Sequence, residues 1–69
     1  MADTVDPKRA ASLIEEAFDE NVKGLSIAKW AQVSGGQSID AAMTGFGPAL
    51  TKIKELRDRQ LAEVPKVFP

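Results

Sequence analysis

Sixty-nine residues, 43% hydrophobic and 28% charged with a net charge of −1, are expected to make one small soluble domain with no room for a second. Neither cysteine nor histidine occurs, which excludes disulfides, thiolate chemistry, Cys/His zinc sites and the usual general base together. No apolar run nears the roughly 20 residues of a bilayer span, and the acidic opening MADTVDPKR has no apolar signal core, so a protein without membrane contact is expected, in the cytosol or inside an assembly built there.

Residues 1–6 read as a mobile polar arm, followed by a single domain over 7–64 and an extended apolar tail over 65–69. Asp6-Pro7 reads as a helix start, an N-cap carboxylate followed by a proline with no N–H to waste. From there Ala10, Leu13, Ile14, Ala17, Phe18 and Val22 recur at three- and four-residue steps, and Gly24 reads as the stop, which predicts a first helix over Pro7 to Lys23. The stretch Leu25 to Met43 then reads as a β-hairpin closed on Gly35-Gly36, because both central positions of a two-residue loop need φ > 0. Its register sets Gln32 against Ile39, Trp30 against Ala41 and Ala28 against Met43, and it gathers Ala28, Trp30, Ile39, Ala41 and Met43 on one apolar face. After the turn Thr44-Gly45-Phe46-Gly47-Pro48, the stripe Ala49, Leu50, Ile53, Leu56, Leu61 and Val64 predicts a second helix over Pro48 to Glu63, stopped by Pro65.

The expected fold is therefore α+β: helix, two-stranded antiparallel hairpin, helix, with an extended C-terminal tail. Its expected core is Leu13, Ile14, Phe18, Trp30, Ile39, Met43, Leu50, Ile53 and Leu56. Trp30 has its place there opposite a small residue, with an interface or base-stacking role as the other reading.

Catalysis finds no footing. Glu15, Glu16, Asp19 and Glu20 diverge around the polar side of a helix rather than pairing as acid and base or as magnesium ligands. Gly35-Gly36 and Gly45-Phe46-Gly47 lack the Lys-Ser/Thr of a phosphate loop, and no histidine activates Ser12, Ser26, Ser34 or Ser38. No enzyme activity, cofactor or metal is expected. Charge is uneven along the chain: six acids face three bases over residues 1–24, and five bases face three acids over 51–69. Such a dipole suits contact between copies or with a charged partner. Lys52, Arg57 and Arg59, together with Pro65, Lys66, Val67 and Phe68, are the candidate partner-binding residues. The tail has two readings, folding back on its own core or docking on a neighbouring chain.

In order and pattern the chain resembles the small head-completion, or head–tail joining, proteins of long-tailed bacteriophages. The features that carry the resemblance are Leu13-Ile14 and Ala17-Phe18 in the first helix, the glycine turn Gly35-Gly36 followed by Ile39, Leu50-Thr51-Lys52-Ile53-Lys54-Glu55-Leu56 in the second helix, and the tail through Phe68. The resemblance implies a structural virion protein of the neck, assembled in the host cytoplasm. It also implies a ring of copies that binds the portal protein, lies close to packaged DNA and receives the next neck component. Two other readings stand beside it: a small DNA-binding or regulatory module of antitoxin or repressor type, disfavoured by acids that interleave the bases, and an accessory subunit of a larger complex.

Overall fold

In a computed structural model that describes residues 5–69, the apolar stripe of the N-terminal half passes through Gly24 without a break. Ala11, Ile14, Phe18, Val22, Leu25 and Lys29 are all at least half-buried at three- and four-residue spacing, so one helix, α1, spans Pro7–Ser34. Its start follows the sequence: the Arg9 N–H donates to Asp6 Oδ1 at 2.7 Å, and Pro7 opens the first turn. The expected arm over 1–6 lies outside the described residues except for Val5 and this cap.

The expected β-hairpin over Leu25 to Met43 does not form, and no strand occurs among the described residues. Two effects decide against it. Extending a helix that already exists needs no new nucleus, and the glycine in its middle costs only about 1 kcal/mol, whereas a two-stranded ribbon must close a loop and then find a third element to cover it. The Gly35-Gly36 pair serves a different turn. Gly36, at φ 104°, donates its N–H to Val33 O at 3.0 Å, and the Gln37 N–H reaches back to Gln32 O at 3.0 Å, which together make a Schellman cap that ends α1. Ser38 then caps a short helix, α2 (Ile39–Met43), by accepting from the Ala41 N–H at 3.1 Å. Gly45, at φ 80°, turns the chain into α3 (Phe46–Val67), with Pro48 inside the first turn, where its missing N–H breaks no bond.

The expected extended tail over 65–69 is helical through Val67 instead. Pro65 removes one N–H from the ladder, yet the chain closes another turn beyond it, with the Phe68 N–H donating to Val64 O at 3.0 Å.

The antiparallel helices α1 and α3 lie side by side, and α2 bridges them at one end. The result measures 50 × 26 × 11 Å, one helix thick. One layer has a seam but no enclosed core, and among the described residues only Ala42 is buried. Of the expected core, Ile14, Phe18, Leu50 and Ile53 are half-buried in that seam. Trp30, Ile39 and Met43 are exposed because the strand pair that was to gather them is absent, and Leu13 and Leu56 are exposed because no second layer covers the helices.

Candidate functional site

Two concave apolar surfaces remain open on this layer. The larger lies at the closed end of the hairpin, where Ser26, Lys29, Trp30 and Val33 of α1 face Ile39, Ala42 and Met43 of α2 and Phe46 of α3 around about 310 Å³. Ala42, 1% exposed, is the small residue that lets α2 seat against the long helices. With α2 held there, Ile39 (68% exposed) and Trp30 (75% exposed) stand on the rim. Lys29 is the one charged residue of the lining.

The second is a shallow groove of about 150 Å³ along the seam, lined by Ile14, Ala17, Phe18 and Asn21 of α1 and by Ile53, Leu56, Arg57 and Gln60 of α3. Arg57 is turned into the seam rather than out to a partner. Its guanidinium lies 4.3 Å from the centre of the Phe18 ring, and its Nη1 is 3.8 Å from Glu15 Oε1, the one ion pair between α1 and α3 among the described residues.

Most of the basic residues of α3 carry their own acids. Arg57 donates to Asp58 Oδ1 through Nη2 at 2.9 Å and Nε at 3.1 Å, Lys54 meets Asp58 at 3.4 Å, Arg59 meets Glu55 at 3.3 Å and Lys66 meets Glu63 at 3.0 Å. Among the expected partner-binding residues, Lys52 alone is a base with no carboxylate within 4 Å among the described residues. A duplex would meet a nearly neutralised helix rather than the run of free cations that phosphate binding requires. Pro65, Lys66, Val67 and Phe68 sit together at the open end of the hairpin, the far end from the larger cavity, with Val67 exposed and Phe68 half-buried.

The bonds from Arg57, with Lys54 assisting, hold the Asp58 carboxyl below the usual carboxylate range. A depressed folded value means that its contribution to stability is present above the ordinary 3.8 and is lost as pH falls through the lower folded value. A carboxyl NMR titration is expected to find Asp58 below 3.8 and to find it moving back toward 3.8 in Arg57→Ala. An unmoved midpoint in that variant would refute the assignment.

Among the described residues no three Asp or Glu side chains converge on a metal-sized site. The larger cavity was missed in sequence because Gly24 read as a stop. Its signal was present in Trp30 and Val33, apolar at i and i+3 on a helix that continues, with Ile39 and Met43 at i, i+4 beyond it. No protein family, curated protein or solved structure matches this chain.

Proposed function

We propose that this chain is a non-catalytic assembly module that works by docking an apolar segment of another protein in the cavity at the closed end of its hairpin. The observation that carries the reading is the exposure of Trp30, Ile39 and Met43 around one concavity in a chain whose described residues bury only Ala42. Large apolar side chains around a hollow lose water-contact area on docking, at about 25 cal/mol per Å² covered. Lys29 favours an acidic residue beside the apolar one in that segment.

The head–tail joining role is a narrower setting of the same proposal: a ring of copies in a virion neck, between the portal protein and the next component. The strand pair that carried part of that resemblance is gone. What supports the setting is the open apolar surface on a layer of two helices. It predicts co-sedimentation with neck-bearing particles.

The test places a photo-crosslinking residue at Trp30 or Ile39 in the producing cell. A discrete polypeptide partner is expected, and Met43→Asp, which puts a carboxylate on the lining, is expected to abolish the crosslink. Crosslinks to nucleic acid, or none to polypeptide from either position, would refute the docking role.

A further inference from the structure

Of the six lysines, Lys29 alone is half-buried, and it lies in the lining of the larger cavity beside Trp30 and Val33. A lysine stem covers apolar surface while its ammonium stays at the edge in water, so a positive charge borders an otherwise apolar hollow. Among the described residues no carboxylate comes within 4 Å of it. Asp40, the one acid between Gly24 and Thr51, is on α2 but outside the lining. Ser26 supplies the one hydroxyl of the lining. It stands three residues before Lys29 and therefore next to it on the same face of α1, with Cβ atoms about 5–6 Å apart.

We infer that this cavity is a binding site for a small amphipathic carboxylate, an apolar body that ends in one acid group. The body lies over Val33, Ile39, Met43 and Phe46, and the carboxylate accepts from Lys29 Nζ and Ser26 Oγ. Three features select that class. The first is size, since about 310 Å³ falls at the small end of the roughly 300–1,000 Å³ of ligand sites and holds one compact molecule. The second is the wall, which offers a sugar or a nucleobase little to bond beyond these two groups. The third is charge. One ammonium and one hydroxyl balance a single negative charge, whereas a phosphate brings nearly two and three strong acceptor oxygens. An amine of the same shape would set ammonium against ammonium.

A molecule held there fills the space that a docked polypeptide segment needs. The two compete, so the inference rests on the docking reading for what the ligand regulates and not for the ligand's chemistry.

The test titrates octanoate, octanol and octylamine into the purified chain and follows the indole N–H resonance of Trp30, the sole tryptophan. The three share one apolar tail and differ in charge. Octanoate is expected to bind about threefold tighter than octanol and about tenfold tighter than octylamine, the discrimination that a partly exposed lysine gives. Lys29→Gln is expected to weaken octanoate alone, and Lys66→Gln, at the far end of the hairpin, to weaken none of the three. The amide of Val67, 67% exposed at that far end, is expected to stay unmoved throughout. Octanol or octylamine bound as tightly as octanoate overturns the inference. So does an equal loss of all three in Lys29→Gln, a response at Val67 that matches the one at Trp30, or no response at all. In any of these cases a polypeptide crosslinked through Ile39 leaves the docking role standing. A preference for octanoate that depends on Lys29, with no polypeptide trapped at either crosslinking position, removes docking and leaves the ligand site. With both present, saturating octanoate is expected to suppress the crosslink through Ile39, and an undiminished crosslink overturns the competition.

Discussion

Proline at position 24 is expected to abolish the helical hairpin, whereas alanine at the same position is expected to stabilise it by about 1 kcal/mol. Gly24 is interior to a 28-residue helix, so its N–H belongs to the i→i−4 ladder. Proline there removes that bond and drives its ring into the preceding turn, at a cost of about 3 kcal/mol or more. A chain this small holds only about 3–5 kcal/mol in total, so the loss takes most of what there is. Alanine acts the other way. A Cβ built on Gly24 meets nothing within 4 Å, and the residue is not among the positive-φ glycines, so alanine keeps the helix and removes conformational freedom from the unfolded chain. The sign is the test. If Gly24 ended a helix in the left-handed region, alanine would cost stability instead. Urea midpoints followed by far-UV circular dichroism read both variants, and a lower midpoint for Gly24→Ala would rule out the continuous helix.

How far the fold was legible follows from where local signals had one meaning and where they had two. The Asp6-Pro7 start and the stripes through Ile14 and Phe18, and through Leu50 and Ile53, had one, and the helices follow them. Gly24 and Gly35-Gly36 had two. A glycine stops a helix or is tolerated inside it, and a glycine pair closes a hairpin or caps a helix, since both turns need only a residue free to take positive φ. Ser38 likewise suited a strand or an N-cap, and became the cap of α2. Period-2 and period-3.6 patterns overlap in a run as short as Ile27 to Val33, and the choice went to the helix already under way. Pro65 misled in the same fashion, because one missing donor does not end a helix that can close a further turn. Trp30 misled for another reason. Assigning it to a core assumed that the chain encloses one, and a single layer of two helices encloses almost nothing. The candidate site was hidden by the same assumption, for its residues become visible only when no core claims them.

Phe18→Ala is expected to lower stability by about 2 kcal/mol, below the roughly 3–5 kcal/mol of a fully buried phenylalanine because the seam covers only part of the ring. Part of the loss is specific. The Arg57 guanidinium lies 4.3 Å from the ring centre, a contact of about 0.5–1 kcal/mol at a partly exposed site, so a double-mutant cycle with Arg57→Ala is expected to show coupling of about that size. Glu15 gives Arg57 a second anchor across the same seam, so the arginine is expected to keep its place when the ring is lost. Urea unfolding of the two single variants and the double variant reads both the cost and the coupling. A cost below about 0.5 kcal/mol would mean that α1 and α3 are not held together through this ring.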